Sequence, residues 1–525
     1  MRDEVYQKIK AVLDKDYQFS VTDSEKPEFG DYSSNVAFAL AKDFRKPPFE
    51  VAKELAAQIK NKDVEKFFSK VEAAQPGFIN FWISNGALYS QLSKAVKAKK
   101  PLVPKRLKIN VEFISANPTG PLTMANGRGG FWGDVLARVL EFAGHKVVRE
   151  YYINDTGNQI KILGESILAV LGKASAREEH YQGDYVKDLA KQLEKKAKNI
   201  LDPERVGKLA ANLLLKQIKN SVKRAGIQFD VWFSEYQNLH KKGELKKVLE
   251  NLKRRQLIVE KEGAIWLKSG GITDEKDRVL VKSDGVPTYF LADLAYHYDK
   301  FVKRKFDRAI DIWGADHHDY VARLKTGVQA LRINPENLHI IITQLVRLIE
   351  NGKEARMSKR KGEFVTLDEL IEEVGVDAAR FFFLTHTPET HMDFDLSLAK
   401  ERSLKNPVYY VQYALVRCSS ILEKARFKNK KSDLRLLVGD SELKLIKQLV
   451  KFSDVVSQTA GDYQINRLTR YAADIARALH NFYEKERVLG SEEKITRARL
   501  SLISTTKIIL EKLFGLLGIS VPKEM

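Results

Sequence analysis

Residues 111–138 read VEFISANPTGPLTMANGRGGFWGDVLAR. Ile109, Val111 and Phe113 form an apolar, β-prone run behind Lys105-Arg106, the pattern of a core strand. Asn117-Pro118-Thr119-Gly120-Pro121 stops it, because two prolines and a glycine permit a turn and little else. Small residues follow at Ala125, Gly127, Gly129 and Gly130, and Phe131–Leu140 reads as a helix with its apolar face inward. A strand, a glycine-rich turn and a helix N-terminus together make an anion site: backbone N–H groups point at a phosphate and the helix dipole favours negative charge. The spelling is neither the P-loop, which needs Gly-Lys-Ser/Thr, nor the dinucleotide fingerprint.

Outward from this stretch, strands and helices alternate from Lys105 on, the pattern of a doubly wound parallel sheet in an α/β fold. Val147–Ile153, Phe229–Glu235, Ala264–Leu267, Val279–Val281, Ala309–Trp313 and His339–Val346 read as strands, and Tyr320–Arg332 as a helix. Residues 173–225, helical and lysine-rich, read as an insertion between the two halves of the sheet. Residues 1–100 form a separate small α/β domain, with helices at Arg2–Leu13 and Pro47–Ile59 and a hairpin at Val71–Ile83, and Lys97–Pro104 is the linker. From Asp368 the chain is almost all helix, with amphipathic stretches at Tyr409–Leu422, Leu443–Val456, Ile465–Tyr483 and Ile495–Phe514. The expected units are 1–100, 105–400 (doubly wound sheet) and 401–525 (helical bundle).

At 525 residues the chain exceeds what one core serves. No apolar run is long enough to span a bilayer, and Met1-Arg2-Asp3-Glu4 starts no signal peptide, so a cytoplasmic enzyme is expected. Cys418 is the only cysteine, which excludes internal disulfides and cysteine-cluster zinc sites. Lys+Arg number 89 against 69 Asp+Glu, a net +20 that fits either a polyanionic partner or a surface charged for solubility. Residues 401–525 hold 23 basic and 14 acidic side chains, a larger share of the excess than their length.

Glu112–Leu122 resembles the first signature of class I aminoacyl-tRNA synthetases, in the version carried by arginyl-tRNA synthetases. Arg356-Met357-Ser358-Lys359-Arg360 resembles that class's Lys-Met-Ser-Lys-Ser loop, about 230 residues on and in the right order. Phe29–Asn35, Gln75–Asn80, Lys282–Gly285, Gly375–Arg380 and Asn406–Ala414 also match, so the resemblance runs along the whole chain. It implies an N-terminal domain that contacts the elbow of tRNA, a class I catalytic domain and an all-α anticodon-binding domain. It also implies ATP-dependent ligation of L-arginine to tRNA(Arg) through an arginyl-adenylate, with Mg²⁺ escorting ATP and no metal ligands from protein side chains. No dimer signature is present, and a monomer is expected.

The same resemblance assigns roles. Lys359 neutralises charge building on the phosphates, while Ser358 and Met357 shape its loop. The family's first motif normally ends Pro-Leu-His-x-Gly-His, whereas this chain has Thr123-Met124-Ala125-Asn126, so Thr123 and Asn126 are the donors left to reach the phosphates. Pro118, Thr119, Gly120, Ala125, Gly127 and His317 fall to ATP. Recognition of a guanidinium needs carboxylates, which accept its planar fork bidentately. Glu112 and Asn117 fall to the α-amino end, Tyr289 and Asp293 to the side-chain pocket, and Asp316 near the amino acid; Glu235 also fits a guanidinium-binding acid, and Ser115 is a further arginine-binding residue. Asp316–Asp319 and His386–His391 carry ligand types that zinc uses, though neither has a recognised zinc spacing. Tyr410, Tyr413 and Arg417 suit base stacking, and the i, i+4 spacing of Tyr409 and Tyr413 suits helix packing equally. Two other readings stay open: an RNA-binding paralogue that has lost activation with its histidines, and a synthetase for another amino acid.

Overall fold

The computed structural model describes residues 1–525 apart from 25, 98–102, 104, 196–200, 269–276, 355–364 and 428–431. Its central sheet contains five parallel strands: β1 (Lys108–Glu112), β2 (Lys146–Ile153), β3 (Val231–Ser234), β4 (Arg308–Gly314) and β5 (Leu338–Thr343). They lie in the order β5-β4-β1-β2-β3. Ile109 and Val111 on β1 and Ala309 and Ile310 on β4 are at most 1% exposed, as strands covered on both faces require. Strand order reverses between β1 and β4, and in such sheets the crevice past the strand ends at that point receives ligands.

The helix after β1 starts earlier than the sequence suggests. It spans Met124–Ala143, so the small residues expected to form a glycine-rich turn are already helical. Thr123 and Asn126 form a capping box that satisfies the first orphan N–H groups. The glycines serve packing instead. A Cβ on Gly133 would stand 2.2 Å from Phe113 Cγ, and one on Gly127 would stand 2.6 Å from Leu367 Cδ1.

Ile258–Lys261, Ala264–Leu267 and Arg278–Val281 form a separate three-stranded antiparallel sheet; the first of these strands carries no clear pattern in the sequence. The helical insert begins earlier than the expected residue 173: its first helix, Asn158–Val170, crosses Pro203–Arg224 backbone against backbone. A Cβ on Gly164 would lie 1.8 Å from the Pro203 oxygen, and one on Gly207 1.9 Å from the Ile160 oxygen. Ile160, Leu163, Val186, Leu189, Val206 and Leu214 give this insert a small core of its own.

In the N-terminal part, Phe68–Ala74 and Phe78–Ile83 pair as the expected hairpin, Val71 opposite Phe81, within a four-stranded sheet. The C-terminal helices are Pro407–Lys424, Asp440–Val450, Phe452–Asp462, Asn466–Lys485 and Glu493–Leu517; the stretch read as one helix over Leu443–Val456 breaks at Lys451. His339–Val346 is likewise two strands. At its break the Gln344 N–H donates to the Pro388 oxygen at 2.9 Å and the Gln344 carbonyl accepts from Arg128 at 2.8 Å, so pairing with β4 ends there. Val346–Glu350 pairs instead with Met392–Asp395, a strand inside the region read as helical.

Arg380 ties the layers together while wholly buried. Its guanidinium donates to Asp134 (2.5 Å) on the Met124 helix, to the Ala225 oxygen (2.9 Å) after the insert and to the Leu517 oxygen (3.3 Å) at the end of the last helix. Among the described residues no helix is long and apolar enough to cross a membrane.

Candidate active site

A cavity of about 400 Å³ opens past the ends of β1 and β4, at the reversal of strand order. Glu112, Ser115, Asn117, Asn126, Glu235, Tyr289, Asp293, Asp316 and His317 line it, together with Tyr152 and Tyr320. Residues assigned to the arginine end thus converge from four separate segments. A larger cavity of about 980 Å³ adjoins it, sharing Glu235, Tyr289, Asp293, His317 and Tyr320, and reaching Trp266, Lys282 and Arg323.

Besides the exposed Asp316, two carboxylates face this space without a lysine or arginine partner among the described residues. Asp293 lies on the helix Tyr289–Tyr298, whose N-cap is Thr288, and its Oδ2 accepts from the Tyr320 hydroxyl at 2.5 Å. Burial pushes its carboxyl up to about 6, against the pull of the Tyr320 hydrogen bond. Glu235 is 3% exposed; its Oε2 accepts from Tyr152 at 2.8 Å and its Oε1 lies 2.9 Å from His240 Nε2. Other acids nearby are already neutralised. Glu112 meets Lys300 at 2.6 Å and Ser115 at 3.0 Å, and Glu150 meets Arg304 at 2.9 Å.

The turn leaving β1 is strained: Ile114 and Ser115 have φ of 65° and 41°, left-handed backbone that non-glycine residues rarely adopt. The Ser115 hydroxyl secures it, donating to Glu112 and accepting from the Tyr152 N–H, both at 3.0 Å. Asn117 follows, its amide donating to Gln159.

At the nucleotide end the expected residues divide between the cavity wall and the turn behind it. The Thr123 hydroxyl is engaged in the helix cap, accepting from the Asn126 N–H at 3.3 Å and lying 3.0 Å from Asn126 Oδ1, and Thr123 does not line the cavity. Asn126 does, with Oδ1 held by the Thr123 N–H at 2.9 Å, which leaves Nδ2 as its donor. Pro118, Thr119, Gly120, Ala125 and Gly127 line neither cavity, because the turn folds onto itself and its neighbours. The Thr119 N–H bonds the Asn117 oxygen at 2.7 Å, Gly120 faces the Tyr185 ring, and Gly127 packs on Leu367.

Met357, Ser358 and Lys359 lie outside the described residues. The residues just after them reach the first signature, however. The Met124 N–H donates to the Val365 oxygen and the Leu367 N–H to the Leu122 oxygen, both at 2.9 Å.

Asp316 and His317 stand exposed at the cavity rim, 3.4 Å apart, with the His317 ring 5.6 Å from Trp313. No group of three or more His, Cys, Asp or Glu among the described residues is placed to hold a metal ion. The loop between His386 and His391 is organised by the buried Arg128, which donates to the Thr387 and Thr390 oxygens at 2.8 Å.

In the helical bundle, Tyr413 and Arg417 share a cleft of about 570 Å³ with Tyr483, which the sequence reading missed. The Arg417 guanidinium lies 3.9 Å from the Tyr483 ring centre and donates to the Tyr413 hydroxyl at 3.1 Å. Tyr410 stays outside this cleft and packs on His480, ring centres 5.0 Å apart.

Three family models match the chain in order: an arginyl tRNA synthetase N-terminal domain over residues 1–83, a class I (R) tRNA synthetase catalytic domain over 87–387 and a DALR anticodon binding domain over 411–525. The chain belongs to the class I arginyl-tRNA synthetase family. An arginine–tRNA ligase of Acetivibrio thermocellus is 44% identical, covering 94% of this chain and 92% of its own length. One of Carboxydothermus hydrogenoformans is 42% identical, covering 95% and 94%. The solved Thermus thermophilus arginyl-tRNA synthetase superposes with a TM-score of 0.83 over 100% of both chains, and at 22% identity that likeness speaks for the fold. Within this synthetase fold the residues that sequence reasoning missed are those that hold others. Tyr152 and His240 hold Glu235, Tyr320 holds Asp293, and Lys300 holds Glu112.

Proposed function

We propose that the chain joins L-arginine to tRNA(Arg), using ATP to form an arginyl-adenylate and then passing arginine to the 2′-OH of the terminal ribose. The observation that carries the substrate is the pair Asp293 and Glu235, partly desolvated acids without a lysine or arginine partner among the described residues, on the wall of a cavity beside the class I signature. A guanidinium supplies the missing cation and presents donors in the planar fork that carboxylates accept. Tyr289 borders the same space, and Ser115, Asn117 and Glu112 serve the α-amino end.

ATP fits the rim of this cavity, with His317 and Trp313 beside the nucleoside and the Asn126 amide as donor to the phosphates. Mg²⁺ travels with ATP and offsets its charge. Lys359 supplies protein-borne positive charge as pyrophosphate leaves, with Ser358 and Met357 shaping its loop. The larger adjoining cavity, with Trp266, Lys282 and Arg323 on its walls, suits the 3′ end of the tRNA. The Tyr413–Arg417–Tyr483 cleft suits stacked anticodon bases. In this reading residues 1–100 touch the tRNA elbow, 105–400 catalyse and 401–525 bind the anticodon, in a cytoplasmic monomer.

Purified protein is expected to charge total tRNA with radiolabelled arginine and with no other amino acid. Charging with a different amino acid would overturn the proposal, and tight tRNA binding with no charging at any ATP concentration would mark an inactive RNA-binding paralogue.

A further inference from the structure

Lys300 has no part in the chemistry above, yet it is wholly buried beneath the arginine cavity. It follows the helix that carries Asp293, and its neighbours Lys303 and Arg304 are partly exposed while it is not. A desolvated ammonium persists only where opposite charges and hydrogen bonds compensate it. Its Nζ lies 2.6 Å from Glu112 Oε2, 2.7 Å from Asp311 Oδ1 and 4.2 Å from the centre of the Tyr296 ring. Burial alone would lower its affinity for the proton, and Asp311 and Glu112 reverse this. The same ammonium, with His297, holds the Asp311 carboxyl down to about 2 although burial acts the other way.

What each carboxylate does with its second oxygen gives Lys300 its reach. Glu112 Oε1 accepts from the Ser115 hydroxyl, the contact that secures the left-handed turn Ile114-Ser115. Asp311 Oδ2 lies 2.9 Å from His297 Nε2, and His297 Nδ1 donates to the backbone oxygen of Asp293 at 2.8 Å. One cation therefore sits between the two walls of the cavity, the Glu112–Ser115 wall and the Asp293 wall. Strained backbone persists only where its surroundings over-determine it. The nucleotide side is pinned separately, through Val365 and Leu367 to Leu122 and Met124.

We propose that Lys300 is a positioning residue for arginine: by bridging Glu112 and Asp311 it fixes the turn at Ser115 and the spacing of the two cavity walls. This rests on the reading of the cavity as an arginine site, so charging by the unaltered protein is measured first; its absence would overturn both, whereas unchanged arginine kinetics in a Lys300 variant of an active protein would overturn this proposal alone.

The test compares Lys300→Met, Lys300→Ala and Lys300→Arg, each checked for folding by thermal melting, in steady-state charging. Lys300→Met and Lys300→Ala are expected to raise the KM for arginine about tenfold or more and to leave the KM for ATP within about twofold. Lys300→Ala removes the atoms of n-propylamine, so n-propylammonium chloride is expected to restore part of its arginine kcat/KM, where n-propanol or potassium chloride at equal concentration does not. An arginine KM within about twofold of the unaltered protein overturns the proposal, as does equal damage to both KM values without rescue by the amine. Should the Met and Ala variants fail to fold, Lys300→Arg decides. A planar fork cannot replace a compact ammonium between two carboxylates, so a raised arginine KM at constant ATP KM supports the role, and unchanged kinetics overturn it.

Discussion

Met124 and Val365 share a backbone hydrogen bond of 2.9 Å, so the start of the signature helix is fastened to the residue immediately after 355–364. The first signature thus meets the segment that follows the second motif in sequence, and Lys359 precedes Val365 by six positions. Lys359→Ala is expected to lower kcat by roughly a thousandfold, about 4 kcal/mol, while arginine affinity changes little. Rapid-quench measurement of adenylate formation beside equilibrium arginine binding checks both halves.

Thr123 caps the signature helix through its hydroxyl and its backbone. Thr123→Val keeps the shape and loses the cap, which should cost about 1 kcal/mol in urea unfolding. Thr123→His with Asn126→His, which would restore the family's usual motif, breaks the same capping box. A lower stability, with no gain in charging rate, is expected of that pair.

Asp293 sets a pH dependence. Arginine is a cation throughout the neutral range and needs the carboxylate, whose pKa burial raises to about 6. The kcat/KM for arginine should therefore be level above about pH 7 and fall about tenfold per unit below the pKa. The Tyr320 hydroxyl favours the ionised form, so Tyr320→Phe should move the break to higher pH. Asp293→Asn should raise the arginine KM by about thirtyfold or more, near 2 kcal/mol, with no acid limb attributable to this group.

Tyr483 forms a wall of the C-terminal cleft with Arg417 against its ring. Stacking of one base contributes about 1–3 kcal/mol, so Tyr483→Ala should raise the KM for tRNA by roughly tenfold while kcat at saturating tRNA holds. Titration of charging against tRNA concentration distinguishes the two.

Gly133 lies where the signature helix presses on Phe113, with no room for a methyl group. Gly133→Ala should destabilise the fold by about 1–3 kcal/mol through overpacking, despite alanine's better helix propensity. Urea unfolding gives the sign directly.

The parallel sheet, the strand–turn–helix at its centre and the helical C-terminal region were legible because hydrophobic period and prolines report local structure. Asp293 stood out for the same reason, an acid among Phe290, Leu291 and Leu294. The start of the signature helix was not legible: glycines that serve a close helix crossing look identical in sequence to glycines that serve a loop. Lys300 is indistinguishable from Lys303 and Lys305 until the fold sets Glu112 on β1 beside Asp311 on β4 and brings the lysine against both. Tyr320 was read only as the start of a helix, because its hydroxyl partner lies 27 residues away. The split of His339–Val346 depends on Arg128, far upstream, capturing the Gln344 carbonyl.

Arg380 gives the chain an unusual ancestry constraint. Its guanidinium joins the signature helix to the carbonyl that ends the helix Glu493–Leu517, and nearby Asp377 accepts from the Ser520 N–H at 3.0 Å. Hybrids made by swapping everything after residue 400 between relatives would therefore inherit one half of this contact from each parent. Because the Leu517 carbonyl and the Ser520 N–H are backbone groups, such a hybrid keeps the contact only where its tail delivers residues 515–520 to the same place, so the last turn of that helix answers to the sheet layer as well as to the bundle in which it begins.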